Sequence, residues 1–595
     1  MKINKTIFQL LIIFLPIHLL FSQNSYETYI KGKKLFYQKK YSEAIVHFDS
    51  LVSTNNEFKI YSIYYSGLCD FNLNKFDNSK KKLEDIIFNY PSWPQLDEVN
   101  YWLVRLLLEK NEYESSFRIL SGIKSKDIKD QLYEFLDPKV EKINDFNKLR
   151  KWHDVYPKNN VIAKYFGRKL LNEPLDKDII SKIQNILSNV SEENLFINSD
   201  DYIFKVAILL PFMYNENDNL SIMKKNKFIT DLYNGMRLAT NHLDSIGVKI
   251  KLYPYDTKRD PEVVKGILKS SLFNKMNLII GPLYSSPVKL VSQYCLENKI
   301  FMINPLSSNN EIIDNNKYAM LFLPSNKTLA IKAAEYAKEK FNKNKNAIIF
   351  YENNKVDSLI ASIYQNKMEA NGFNFIYKQK VNLEDSRLIL DSLTNSYELM
   401  LSKQEADSIN NIEGRIVKDG RGIEKLDTIY KYEEKFYIDD DSIGHVFTVS
   451  SNSLLSSNTL SAVDVRNDTI SVLGFDEWLE YDVNTFDQLK RLDVSFISRK
   501  YINLNSEISN FIKDKVVNSY GEVPSDNLFI GFGLINMIGK IIDKYGNYFQ
   551  FGLRNENFIQ GDVFEGFKYD YMNDNQFVPI LKIIDSELKI DNQEE

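Results

Sequence analysis

The residues that most invite chemistry are Gly281-Pro282-Leu283-Tyr284-Ser285-Ser286-Pro287, which follow the short apolar run Leu278–Ile280. A glycine there permits a tight exit from a strand. Ser285 or Ser286 can cap the helix that follows, and Pro287 suits its first turn. A helix N-terminus with free N–H groups and a nearby hydroxyl holds carboxylates well, so the chemistry on offer is non-covalent capture of an anionic group. Ser307 and Ser308 occupy the equivalent place after the next apolar run, Ile300–Asn304. Tyr351 and Glu352 stand in the same relation to Asn346–Phe350. All six are candidates for ligand contact. Each has an alternative role as an ordinary cap or loop residue.

Bond-making chemistry finds no support. The five histidines, His18, His47, His153, His242 and His445, are scattered and lack metal-ligand spacing. There is no CxxC, HExxH, P-loop or GxSxG elbow. Gly531-Phe532-Gly533 opens like a dinucleotide loop, but Asn536 stands where the third glycine belongs and the surrounding pattern is helical. The expectation is a non-enzymatic protein with no metal and no cofactor. The two cysteines, Cys69 and Cys295, lie in apolar helical contexts far apart in sequence and read as free buried thiols. A net charge of −5 with mixed signs along the chain gives no field for nucleic acid or an anionic membrane.

The elements that must position these groups fall into distinct stretches. Residues 1–23 carry Lys2 and Lys5, an apolar run from Ile7 to Phe21, and Ser22-Gln23. This reads as a cleaved secretory signal, too short for a spanning helix, which needs about 20 apolar residues. No cysteine follows it for lipid attachment. The expected location is the periplasm or another extracytoplasmic space, with no integral membrane segment once the signal is removed. Residues 25–190 read as helical, with three aligned segments: Gly32, Tyr41, Ala44 and Phe48; Gly67, Phe76, Ser79 and Leu83; Val104, Tyr113, Ser116 and Leu120. That small–aromatic–small register resembles tetratricopeptide repeats, whose stacked helix pairs form a surface for a protein or peptide partner. Residues 191–202 read as a linker.

From residue 203 to 595 short apolar runs alternate with helical patterns, an order that implies parallel sheets covered by helices on both faces. The ordered pieces KVAILLPF, YNGMRLATN, YPYDTKRDPE, LIIGPLYSSP, FMINPLSS, LPSNKTLAIKAAEYA and NAIIFYENN resemble the type 1 periplasmic ligand-binding family, in particular the amino-acid substrate-binding proteins of ABC transporters. VLGFDEW, SFISRKY and the 511–546 region extend the likeness. The resemblance implies an all-α array followed by a two-lobed α/β fold joined by three crossovers and closing on a small solute, such as an amino acid or a peptide-like molecule. Lobe one would span about 203–324 and 501–550, and lobe two about 325–500 and 551–585. The polar stretch 384–442 reads as an insertion, expected as a mobile surface loop. By the same resemblance an amino-acid carboxylate would sit at Ser285 and Ser286. Two features depart from the amino-acid binders. Asn353-Asn354-Lys355-Val356 replaces their Tyr-Gly pair, and Gly531-Phe532-Gly533 replaces a Gly-Tyr-Asp that holds the ammonium group. Helical repeats ahead of such lobes also resemble the lipoprotein activators of peptidoglycan synthases. The alternative function is therefore a scaffold or regulator of cell-envelope assembly. The Asn/Lys/Ile/Tyr-rich composition resembles exported proteins of Bacteroidetes-type bacteria.

Overall fold

The structure, a computed structural model, describes residues 24–592 except 174, 189, 191–202, 215–219, 315, 401–413, 419–420, 423, 429–431, 467 and 570. The expected signal segment and linker lie outside the described residues. The chain divides into two compact units, with the division falling at residues 174–197.

The first unit is helical. It opens with helices α1 (24–37), α2 (Tyr41–Val52), α3 (Lys59–Asn72), α4 (Phe76–Asn89), α5 (Leu96–Glu109) and α6 (Tyr113–Gly122). These form three pairs, and the turn inside each pair is the same. Lys39, Asn74 and Asn111 all take the left-handed conformation, with φ of 59°, 59° and 58°. The next residue closes each turn. The amides of Lys40, Lys75 and Glu112 donate to the carbonyls of Leu35, Asp70 and Leu107 at 2.9, 2.8 and 2.8 Å. This is the Schellman C-cap, which satisfies carbonyls that the helix end leaves open. Small residues bring paired helices close: a Cβ on Gly32 would lie 2.8 Å from the Phe48 ring. Ala44, Ser79 and Ser116 are buried at the matching register positions, with Phe48, Leu83 and Leu120 behind them. The repeat signal in the sequence is thus a real structural repeat. Helices α7 (Lys126–Val140), α8 (Phe146–Val155), α9 (Asn160–Leu170) and α10 (Lys177–Leu187) complete the unit.

The second unit has two doubly wound lobes. Lobe one holds strands β1 (Phe204–Leu210), β2 (Ile250–Asp256), β3 (Leu278–Ile280), β4 (Phe301–Asn304) and β5 (Ala319–Leu321), parallel and in the order β2-β1-β3-β4-β5. β1, β3, β4 and β5 are apolar and buried throughout or nearly so, as befits strands covered on both faces. Helices α11 (Leu220–Ser245), α12 (Pro261–Leu268) and α13 (Ser285–Asn298) connect them. The chain then crosses into lobe two, entering helix α14 (Asn326–Lys340), strand β6 (Asn346–Glu352), helix α15 (Lys355–Glu369) and strand β7 (Asn374–Val381).

Next comes the polar stretch expected as a mobile surface loop, whose described residues form regular elements. It contains helix α16 (Leu388–Thr394) and strands β8 (Ser396–Met400), β9 (Gly414–Lys418), β10 (Glu424–Thr428) and β11 (Tyr432–Phe436). β8 pairs antiparallel with β11, and β9 with β10. The apolar spacing is sparse because a two-stranded ribbon has little core to fill. Its base is anchored by Arg466, whose fully buried guanidinium donates to the carbonyls of Leu393, Ile438 and Asp439 and pairs with Asp468 at 2.8 Å.

Lobe two resumes with β12 (His445–Val449), α17 (Ser453–Arg466), β13 (Ser471–Phe475), α18 (Phe486–Arg491) and β14 (Ser495–Ile497). The chain returns to lobe one for α19 (Glu507–Tyr520), α20 (Asp526–Tyr545), α21 (Phe549–Asn555) and the short ribbon β15 (Ile559–Gln560)–β16 (Gly566–Phe567). It crosses a third time to add β17 (Ile580–Ile584) and β18 (Glu587–Ile590) antiparallel to the lobe-two sheet, whose order is β18-β17-β14-β13-β12-β6-β7. Both lobes therefore share the winding order second-first-third-fourth-fifth. Helix α20 lies tightly on α11. A Cβ on Gly531 would sit 2.0 Å from the carbonyl oxygen of Leu232, and one on Gly235 would sit 1.9 Å from that of Leu528. The crossovers are stitched side by side. The Leu321 amide donates to Asn573 O, the Ser498 amide to Pro579 O, and the Ser325 amide to the Asp574 carboxylate at 3.0 Å. Two of the three leave from the carboxyl ends of β5 and β14, so the rims at those strand ends border the cleft that the crossovers span.

Candidate functional site

In doubly wound sheets ligands settle beyond the carboxyl ends of the strands, where the winding reverses. In lobe one that point lies between β1 and β3, and in lobe two between β6 and β12.

On the lobe-one rim, Gly281 leaves β3 with φ of 88°, and a Cβ there would lie 2.4 Å from the Leu209 carbonyl oxygen. Only glycine meets both demands comfortably. The helix after it begins at Ser285, with Tyr284 at the cap position and no side-chain cap bond. The expected capping by Ser285 or Ser286 is thus not realised. The helix starts one residue earlier than a serine cap would require, so both serines fall inside its first turn and Tyr284, which has no capping oxygen, takes the cap position. Both serines are exposed in the first turn, their hydroxyls released from capping. Ser285 and Ser307 together line the mouth of a cavity of about 240 Å³ between α13 and the 306–316 loop, with Lys289, Asn309 and Glu311. Ser307 is held there by its amide, which donates to Asn304 Oδ1 at 2.8 Å. Ser308 contributes its carbonyl, which accepts from the Asn326 amide at 3.0 Å. Beside Tyr284, the Arg259 guanidinium lies 4.9 Å from the ring centroid and donates to Asn226 Oδ1 at 2.7 Å.

On the lobe-two rim the structure places Glu352 but not Tyr351 among polar groups. The Tyr351 ring packs against the lobe-two core, with the Lys378 amine 5.6 Å from its centroid. Side chains alternate along a strand, so if one of this adjacent pair turns to the core the other turns away. Glu352 accepts from Ser450 Oγ at 2.7 Å, joining the ends of β6 and β12. Asn354 caps α15 by accepting from the Asp357 amide and donates its own amide to the Asp357 carboxylate, both at 2.8 Å. That replaces the Tyr-Gly pair seen in amino-acid binders with a helix cap.

Four residues that sequence reading passed over complete this rim: Asp357, Asp476, Glu477 and Arg499. Asp476 and Glu477 follow β13, and Arg499 follows β14. Burial pushes the Asp476 carboxyl up to about 7, reinforced by the Glu477 charge and opposed by Ser498 Oγ, which donates to it. Burial likewise raises Asp357 to about 6. Burial lowers the Arg499 pKa against the pull of Glu477, Asp357 and Asp476. Its Nη1 atom is shut off from solvent and has no hydrogen-bond partner. Lys500 donates to Asp526 at the start of α20 at 2.6 Å, linking this rim to lobe one. The group is held in place by Trp478, which is fully buried and donates to Ser450 O at 2.8 Å. Four carboxyls against two cations leave an acid excess in a poorly solvated place. Among the described residues no group of acids, histidines and cysteines has metal-binding geometry. The signal that could have located the rim is in SFISRKY and VLGFDEW: charged residues placed directly after buried strands.

Gly531-Phe532-Gly533, matched in sequence to a ligand-holding Gly-Tyr-Asp, lies within α20 and is buried. Its glycines serve close packing, Gly531 against α11 and Gly533 against Phe564, whose ring would lie 2.4 Å from an added Cβ. The departure noted there therefore says nothing about the cleft.

Residues 229–388 match the periplasmic binding protein family. The winding of both lobes and their three crossovers make the second unit a type 1 periplasmic-binding-protein fold, preceded by an all-α array. No curated protein matches the sequence. Solved structures resembling this unit include an ABC transporter substrate-binding protein of Desulfitobacterium hafniense in complex with Leu, at 14% identity, TM-score 0.39, covering 65% of this chain and 100% of that one. A branched-chain amino acid ABC transporter periplasmic ligand-binding protein of Burkholderia xenovorans matches at 10% identity, TM-score 0.39, covering 66% and 92%. A solute-binding protein of Rhodopseudomonas palustris in complex with 3,4-dihydroxybenzoic acid matches at 14% identity, TM-score 0.37, covering 66% and 95%. Among the described residues no helix is long and apolar enough to cross a membrane.

Proposed function

We propose that this chain is an extracytoplasmic, non-enzymatic binding protein that takes a small solute between the two lobes, with the helical array serving a protein partner. The observation that carries this reading is the lobe-two rim. Arg499 keeps a buried nitrogen without a partner, and Asp357 and Asp476 are held against their preference for water. Such unmet polar demand is costly unless something fills it. A ligand with an ammonium group facing the acids and a carboxylate within reach of Arg499 on one side and of Ser285 and Ser307 on the other would meet it. An amino acid or short peptide has both. Export through a cleaved leader at residues 1–23 accords with this role.

A second reading, a scaffold in envelope assembly, draws on the repeat array and on the ribbon β8–β11, which presents exposed Tyr397, Leu399 and Tyr437. The two readings part in one experiment. Native mass spectrometry and a thermal-shift screen of the mature chain against amino acids, peptides and cell-wall fragments should show a bound small molecule or a raised melting point, since a ligand that binds only the folded state must stabilise it. Ser285→Ala with Ser286→Ala, and separately Arg499→Met, should abolish the shift. If no compound shifts the wild-type protein, solute binding is refuted and the scaffold reading takes its place.

A further inference from the structure

The face of lobe one formed by α11 and α19 carries a groove that the solute cleft does not use. It is a cavity of about 470 Å³ lined from one side by Asn234, Arg237, Asn241 and Ser245, and from the other by Phe511, Lys515 and Tyr520. The two helices run in opposite directions here. His242 of α11 lies beside Phe511, with ring centroids 5.8 Å apart, whereas Asp231 accepts from Ser525 Oγ beyond the far end of α19. Buried Val516 and Leu528 close the floor. The C-terminal half of a crossover helix lies toward the amino ends of the strands it covers, so this groove is at the opposite end of the lobe from the rim.

Its charge is one-sided. The cations Arg237 and Lys515 line it, and no aspartate or glutamate does. Of the neighbouring acids, Glu522 pairs with Lys227 and Asp231 accepts from Ser525, while Asp244 and Asp514, next in the chain to Ser245 and Lys515, do not line the groove. Among the described residues neither Arg237 nor Lys515 pairs with a carboxylate, and the Lys515 amine rests 5.7 Å from the Phe511 ring centroid. At one end Tyr520, which lines the groove, is 58% exposed. From Asn234 to Ser245 the helix rises by about 16 Å, the reach of roughly five extended residues.

From these features we infer that the groove binds an acidic peptide segment of a protein partner, its carboxylates meeting Arg237 and Lys515 and an apolar side chain meeting Tyr520. Length, one-sided charge and an apolar end fit a peptide better than a compact anion. Electrostatic complementarity of this kind sets partner choice and salt dependence.

The test uses the full mature chain and a fluorescein-labelled heptapeptide of glutamates around one leucine and one phenylalanine, with the lysine counterpart as control. The acidic peptide should give saturable anisotropy that weakens as salt is raised. Arg237→Glu combined with Lys515→Glu should weaken it at least tenfold with an unchanged melting temperature, and the solute response of the cleft should persist. Equal binding by the variant, equal binding of the lysine peptide, or no saturable binding would each overturn the inference. Displacement by inorganic phosphate at concentrations comparable to the peptide would also overturn it, in favour of a small-anion site.

Discussion

Replacing Asp476 by asparagine should stabilise the protein at neutral and alkaline pH while removing its response to an amine ligand. Burial holds the Asp476 proton up to about pH 7 in the folded chain, against 3.8 for an ordinary aspartate, with the Glu477 charge adding to the effect. The folded state therefore binds this proton more tightly than the unfolded state. Below about pH 4 both states are protonated and the contribution is fully present; it is lost as pH rises through about 7. Above that, the charged carboxylate is a standing cost. At about 1.4 kcal/mol per tenfold difference in proton affinity, and with part of the effect shared with Glu477, that cost is about 2–4 kcal/mol. Asparagine keeps the shape and an oxygen for Ser498 Oγ to bond, but carries no charge. Urea unfolding at pH 5 and pH 8 measures the difference. The wild type should lose stability between these values, and Asp476→Asn should lose less and exceed it at pH 8 by about 2–4 kcal/mol. A variant equal to or less stable than wild type at pH 8, with the same pH slope, would refute the claim that the rim stores unfavourable charge. Gain of stability with loss of ligand response is the pattern expected where a site is kept strained for function.

Two further outcomes follow from the packing. Arg466→Ala leaves Asp468 buried without its cation and the carbonyls of Leu393, Ile438 and Asp439 without a donor, so it should cost about 3–5 kcal/mol in urea unfolding and expose the 384–442 arm to protease before the rest of lobe two yields. Gly531→Val should cost about 3 kcal/mol or more in urea unfolding, because its Cβ would drive into the Leu232 carbonyl, while Gly266→Val, where an added Cβ meets nothing within 4 Å, should cost far less.

Local pattern made much of the architecture legible. Runs such as KVAILLPF and IFMINP are short, apolar and closed by proline, which suits buried strands; β1 starts one residue ahead of the first and β4 lies within the second. The small–aromatic–small register of residues 32–48, 67–83 and 104–120 sets helix pairs because close approach needs small side chains, and the left-handed turns at Lys39, Asn74 and Asn111 recur with it. The arm at 384–442 was hidden because a two-stranded ribbon buries little and leaves no strong alternation to read. The serine loop drew attention because its residue types announce a helix start, yet the helix begins at Ser285 itself, which leaves Tyr284 at the cap position and both serines inside the first turn. Gly531-Phe532-Gly533 was matched by composition, whereas its glycines answer to Leu232 and Phe564, contacts between segments hundreds of residues or tens of residues apart.

By itself the sequence determined the alternation of strands and helices, the repeat register, the absence of familiar catalytic motifs and the likeness to periplasmic binding proteins. These depend on spacing along the chain, which a single strand or helix already expresses. Only the tertiary structure decided which polar residues share a rim. Asp357, Asp476, Glu477 and Arg499 come from three different strand ends, and their altered proton affinities arise from burial beside one another. Burial and charge proximity are properties of the assembled sheet, with no counterpart in the order of residues.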